Sequence, residues 1–247
     1  MKAIILAAGR GSRLKKLTKN QPKSFLKIFG KSMIQRQISN LKDSGITDIG
    51  IVVGYKGDKF KYLNEKIFTN SQWKNSNMVF SLFKAKNWLI NDDIIVCYSD
   101  VIFSKNVIKN LILSRSKISL PYFSGWKKNW KMRYENPLED LEVFLFNSRK
   151  ELSQIGDTPK NYSQIMGQFM GVMKFKKGVT KRIFSIFKKL PNKIQKKFEM
   201  TKFLNFLIQS KAFKIKVIRT NSYWYEIDNF KDYKFAIKDI KKKRIRL

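Results

Sequence analysis

Six apolar or small residues, Ala3 to Ala8, run straight into Gly9 and Gly11, and Arg13 and Lys23 follow at fixed offsets. An uninterrupted apolar run that stops at glycine reads as a buried strand feeding a tight turn. Without side chains in the way, such a turn lets backbone N–H groups approach phosphates closely. Arg13 and Lys23 then supply positive charge suited to a polyphosphate. This is not a Walker loop: no Gly-x-x-x-x-Gly-Lys-Ser/Thr is present, and the lysine lies well downstream of the glycines.

Beyond that turn, strand and helix patterns alternate, which predicts a largely parallel sheet. A helix is expected over 32–44, with Met33, Ile34, Ile38 and Leu41 on one face and Gly45 as its stop. Residues 49–53 read as the second strand. Gly54 and Gly57 bracket the turn after it, and a helix over 58–64 follows with Asp58 as its N-cap. Residues 80–82 read as a short strand, 88–90 as part of a helix and 93–98 as a buried strand. This order gives a Rossmann-like fold, in which ligands bind beyond the carboxyl ends of the strands.

From Ile118 the pattern turns β-rich and irregular. Strands are expected over 118–123, 143–146, 170–175 and 213–219, a short segment over 126–133, and helices over 178–190 and 199–210. One domain over 1–230 would be followed by a basic helix or tail over 231–247.

Composition narrows the chemistry. The 247 residues are 43% hydrophobic, enough for a packed core, and no apolar stretch is long enough to span a membrane. Nothing resembles a cleavable signal peptide, and Cys97 is the only cysteine, which favours a reducing cytoplasm. Histidine is absent, which removes imidazole bases, Ser-His and Cys-His triads and histidine-held zinc. Carboxylates, lysine, arginine and a hard metal ion remain. The net charge of +34 attracts anions in general. The lysines are scattered along the whole chain, however, and abundant Lys, Asn, Ile and Phe fit an AT-rich genome.

Two aspartates suit magnesium, which is commonly held by one or two carboxylates plus phosphates and water. Asp100 follows the apolar run 94–99, where that strand leaves the sheet. Asp228 ends Trp224-Tyr225-Glu226-Ile227-Asp228, and Asp232 beyond it reads as a cap for the last helix.

The run L-A-A-G-x-G-x-R-L-x-x-L-T followed by P-K, at Leu6 to Lys23, resembles the signature loop of the nucleotidyltransferases of the sugar-phosphate and phosphocholine type. Tyr98-Ser99-Asp100 and Trp224-x-Glu-Ile-Asp228 are similar to that family's two metal-binding motifs. The resemblance implies a mixed, mostly parallel central sheet flanked by helices, and transfer of a nucleotidyl unit onto a phosphorylated acceptor with Mg2+. By it, Lys23 and Arg13 are the catalytic cations and Asp100 and Asp228 the metal ligands. Leu6, Ala7, Ala8, Gly9, Arg10 and Gly11 face the nucleotide. Asn77 to Leu82 looks like the N-x-x-x-S-L stretch of the phosphocholine and phosphonate cytidylyltransferase branch, which adds Asn77 and Ser81 near the base and ribose of CTP.

The stretch Trp126 to Glu142 resembles W-x-x-x-W-x-x-R-x-x-x-P-L-x-D-x-E of cytidylyltransferases that accompany phosphonate biosynthesis. It implies acceptor contacts from Trp126, Trp130, Arg133 and Glu142. Gln168, in Gly167-Gln-Phe-Met-Gly171, stands where the family has glutamate. The acceptor is therefore expected to be small, a 2-aminoethylphosphonate-like compound or phosphocholine. A sugar 1-phosphate acceptor is the alternative, and a basic nucleic-acid-binding protein the rival outside enzymology. No nucleic-acid motif supports that rival, and a homodimer stays open.

Overall fold

In the computed structural model, which describes residues 1–245, eight strands form one mixed sheet. Its parallel core is β1 (Lys2–Ala7) between β2 (Ile49–Val53) and β4 (Ile94–Tyr98), with β3 (Lys66–Thr69) outside β2. Register is set by apolar partners, Ala3 opposite Ile49 and Leu6 opposite both Val52 and Tyr98. Every residue of β2 and β4 is buried, the pattern of strands covered on both faces. Beyond β4 the sheet becomes mixed. Strands β6 (Ile118–Phe123), β7 (Gln168–Phe169), β8 (Val172–Phe175) and β9 (Lys216–Thr220) complete it, with β8 antiparallel to both β4 and β6. The mixed, mostly parallel sheet flanked by helices is the one the sequence predicts.

A small antiparallel pair, β5 (Val101–Phe103) with β10 (Trp224–Glu226), matters more for the site than its size suggests. It joins the exit of β4 to the segment preceding the last helix. Beneath it a second apolar cluster of Leu14, Leu26, Met33, Ile102, Tyr225 and Ile240 anchors the loops to the sheet.

The first helix, α1 (Met33–Lys42), starts at Ser32, whose hydroxyl accepts from Gln35 N–H in a capping box. Gly45, at φ +85°, ends it as expected. Residues 78–82 form a helix, α2 (Met78–Leu82), and not the expected strand. Asn77 caps it, and Val79 and Leu82, three residues apart, both pack into the core, so the helical period wins over the apolar run. Residues 57–63 form a 3-10 helix led by left-handed Lys56; Asp58 lies inside its first turn, facing Lys61, and does not cap it. Residues 126–131 are helical, α3 (Trp126–Lys131). The other expected helices are α4 (Val179–Lys189) and α5 (Met200–Gln209). The expected basic tail holds α6 (Phe230–Lys242), capped by Asn229 with Asp232 as the reciprocal acceptor; residues 246 and 247 lie outside the described residues. No helix among the described residues is long and apolar enough to cross a membrane.

Candidate active site

Five segments converge at the carboxyl edge of the parallel strands. β1 delivers the glycine loop, and Gly11 turns it at φ +70°. A Cβ on Gly11 would lie 2.7 Å from the Lys23 Cβ, so glycine is required both by backbone and by space. Thr18 Oγ1 donates to the Gly11 carbonyl at 3.0 Å and closes the loop on itself. Lys23 follows Pro22 in a single 3-10 turn and is buried.

Asp100 is held at the exit of β4 by its backbone. Ile227 N–H donates to the Asp100 carbonyl at 3.0 Å, continuing the β5–β10 pairing that sets Val101 opposite Glu226. That pairing is what brings Asp228 beside Asp100, although 128 residues separate them. Lys23 Nζ lies between the two carboxylates, 2.7 Å from Asp100 Oδ2 and 2.6 Å from Asp228 Oδ1. Arg13 meets the other Asp228 oxygen at 3.0 Å.

Burial alone would lower the Lys23 pKa, but Asp100 and Asp228 more than offset it and hold the ammonium above the ordinary lysine range. Burial pushes Asp228 up, and Lys23 and Arg13 outweigh that push and hold it below the usual carboxylate range. Glu226 forms no ion pair among the described residues. Burial, then the neighbouring Asp228 and Asp100 charges, raise it well above its ordinary value, and the nearby Lys23 charge lowers its pKa only in part.

The two aspartates fit a hard divalent cation. Asp100 Oδ1 is buried with no hydrogen-bond partner, and a lysine ammonium already stands between the carboxylates. No cluster of three or more metal-binding side chains occurs among the described residues, so such an ion would rest on two carboxylates and on ligand oxygens.

Two cavities open here. The first, about 300 Å³, is lined by Leu6, Ala8, Gly9, Gly11, Asn77 and Ser81 together with the five charged residues above. Ala7 is buried within β1 and Arg10 lies outside over the Tyr55 ring, so neither lines it. Asn77 is fixed as the α2 cap, and Ser81, one turn on, donates to the Asn77 carbonyl.

The second cavity, about 330 Å³, shares Arg13, Asn77, Tyr98, Glu226 and Asp228 with the first. Its remaining walls carry Trp130, Asp140, Glu142, Gln168, Glu199 and Trp224. Trp130 stacks on Trp224 with ring centroids 5.8 Å apart and donates its indole N–H to Asp140. Burial raises the Glu142 pKa, against the Thr201 hydroxyl that donates to it. Gln168 pairs with the backbone of Glu142, its amide donating to the carbonyl at 2.8 Å and accepting from the N–H. An ionised glutamate there could accept from the N–H but could not donate to the carbonyl.

Two residues expected at the acceptor lie outside both cavities. Trp126 is buried against Tyr162. Arg133 turns inward onto Asp232 at 2.5 Å, with both side chains almost wholly buried, and lines neither cavity. Glu199, Thr201 and Trp224 were not expected among the lining residues. For Trp224 a signal existed: Trp224, Glu226 and Asp228 alternate with Tyr225 and Ile227, which point into the second apolar cluster.

A glycine-turned loop, a lysine between two aspartates and an adjoining second cavity on this sheet fit a nucleotidyltransferase. The chain belongs to the MobA-like NTP transferase domain family, whose model matches residues 3–128. It is 34% identical over 96% of its length to a CTP:phosphoglutamine cytidylyltransferase of Campylobacter jejuni, covering 99% of that protein. A 2-aminoethylphosphonate cytidylyltransferase of Lancefieldella rimae is 33% identical over 52% of the chain and 54% of that relative. The solved CTP:phosphocholine cytidylyltransferase of Streptococcus pneumoniae superposes with a TM-score of 0.74 at 27% identity, over 97% of this chain and 98% of that one.

Proposed function

We propose that the chain transfers CMP from CTP to a small acceptor that carries both a phosphate or phosphonate and a cationic amine. The observation that carries this reading is the second cavity. In a chain of 52 lysines and arginines against 18 acids, its lining holds Asp140, Glu142, Glu199, Glu226 and Asp228, with Arg13 the one basic residue. Carboxylates beside two stacked tryptophans suit an ammonium group. Phosphocholine, 2-aminoethylphosphonate and a phosphorylated amino acid such as phosphoglutamine share that zwitterionic chemistry. A hexose 1-phosphate offers hydroxyls and no cation, and would bring no opposite charge to Glu142, which forms no ion pair among the described residues.

The reaction needs no proton transfer at the nucleophile. An acceptor phosphate or phosphonate oxygen, ionised at neutral pH, attacks the α-phosphorus; the new P–O bond forms as the bond to the β-phosphate oxygen breaks, and pyrophosphate departs. Catalysis is then positioning plus charge stabilisation. Lys23 neutralises charge on the α-phosphate, and Arg13 and the loop amides around Gly9 and Gly11 hold the departing pyrophosphate. Asn77 and Ser81 bound the base and ribose end of the first cavity. Nucleotidyltransferases generally use a divalent metal, and Asp100 and Asp228 would hold it. Bound, it supplies further positive charge against the phosphates.

The test is pyrophosphate release from each of the four nucleoside triphosphates against zwitterionic acceptors and hexose 1-phosphates, with Mg2+. Turnover is expected with CTP and an amine-bearing acceptor. Turnover with sugar phosphates alone would overturn the acceptor assignment.

A further inference from the structure

Arg133 sits where the acceptor chamber meets the segment that carries Asp228. One side of its guanidinium pairs with Asp232 Oδ1. The other Asp232 oxygen accepts from the backbone N–H groups of Asp228 and Asn229, both at 3.0 Å. Asp228 in turn reaches Lys23 and Arg13. The guanidinium carbon lies over the Trp130 ring, 5.0 Å from its centroid, with the Tyr134 and Phe235 rings beside it. Trp130 forms part of the chamber's aromatic wall with Trp224, and its indole is fixed by Asp140.

A buried ion pair is a weak source of stability, because the cost of desolvating two charges rivals their attraction. What it does supply is geometry. A planar guanidinium has donors in a fixed fork and a face that stacks, so one side chain sets two neighbours at once.

We propose that Arg133 is a positioning residue that locks the acceptor chamber and Asp228 into one unit. Through Asp232 it fixes the Asp228 backbone, and through Trp130 it fixes the chamber wall, while touching neither substrate nor the reacting atoms. Only the acceptor half of this inference rests on the function proposed above.

The test compares Arg133→Met, Arg133→Lys and Asp232→Asn with the parent chain, using amide hydrogen exchange without ligands alongside steady-state kinetics. In Arg133→Met, exchange at Asp228 and Asn229 is expected to quicken about tenfold or more, as loss of a charged hydrogen-bond network would give. Exchange in β1 and β4 stays unchanged, kcat falls and acceptor KM rises. Arg133→Lys keeps the charge and loses the flat stack, so exchange at Asp228 recovers while acceptor KM stays raised. Asp232→Asn is expected to loosen Asp228 and lower kcat with little change in acceptor KM. Unchanged exchange at Asp228 in all three variants overturns the proposal. A rise in acceptor KM alone would make Arg133 a direct acceptor contact. A uniform loss of protection across the sheet would leave it a stability role only. If Arg133→Met fails to fold, the lysine and asparagine variants decide by the same split. The exchange readout needs no acceptor, so a chain that turned over none of those tried would sink the proposed function and leave this inference to be judged separately.

Discussion

Gln37, buried on α1, donates its side-chain amide to the carbonyl oxygens of Tyr98 at 2.5 Å and Val101 at 2.9 Å, the two residues that bracket Ser99 and Asp100. The break between β4 and β5 is therefore pinned from the helix layer. Replacing Gln37 with leucine leaves two buried carbonyls without that donor, a cost of about 1–3 kcal/mol. Chemical denaturation should show that loss, and turnover should fall about tenfold as Asp100 shifts. Parent-like turnover in a folded Gln37→Leu would show that Asp100 holds its place without it.

Lys23 occupies the space between the carboxylates of Asp100 and Asp228. In Lys23→Met those two charges face each other, with Arg13 left paired to Asp228 alone. Turnover is expected to drop by roughly 10²–10³, the scale for losing one charge-stabilising group at a reacting centre. Melting in the presence and absence of Mg2+ gives an independent check. Added Mg2+ should stabilise the methionine variant more than the parent, because it replaces a missing cation. Equal shifts would contradict the metal role of the two aspartates.

Gly11→Ala should disable the loop for two reasons at once. The left-handed backbone costs about 1–2 kcal/mol for a residue with a Cβ, and the added methyl presses on Lys23. Differential scanning calorimetry should find a modest drop in stability. The fall in kcat should be larger than that drop explains, and a variant with full activity would rule out the close approach of loop and lysine.

Burial holds the Glu142 pKa above the ordinary glutamate range, while the unfolded chain returns it to that range. An ionised Glu142 therefore costs stability at neutral pH, and that cost fades as pH falls toward the carboxylate range. Glu142→Gln should be at least as stable as the parent at pH 8, with its advantage shrinking on acidification. Acceptor binding should move the other way. In the parent, acceptor KM should rise as pH drops and Glu142 takes up a proton; in the glutamine variant it should be high and nearly flat with pH. A parent KM that stays constant through that interval would remove Glu142 from the acceptor site.

Local pattern revealed much of this site. The β1 run, its glycines and the carboxylate at the end of β4 each follow from a few adjacent residues, so strand, turn and Asp100 were all legible. Residues 78–82 were not, since five apolar-rich residues are too short to separate a strand from a helix turn; the Asn77 cap and the packing of Val79 and Leu82 decide it. Arg133 could not be placed from sequence because its partner lies 99 residues away and only the fold brings α3 against the start of α6. Glu199 and Thr201 belong to the same class, contributed to the chamber by α5 and its N-cap.

The acid-lined chamber has a consequence for traffic through this molecule. Its exterior draws every anion nearby and so does little to choose among them, nucleic acid and free phosphate included. On the function proposed above, discrimination falls to the interior, where a second, opposite field disfavours a phosphate compound lacking a compensating positive group. Raising ionic strength should thus slow the arrival of all anionic ligands alike, while the ranking of acceptors, set by short-range contacts inside, should persist.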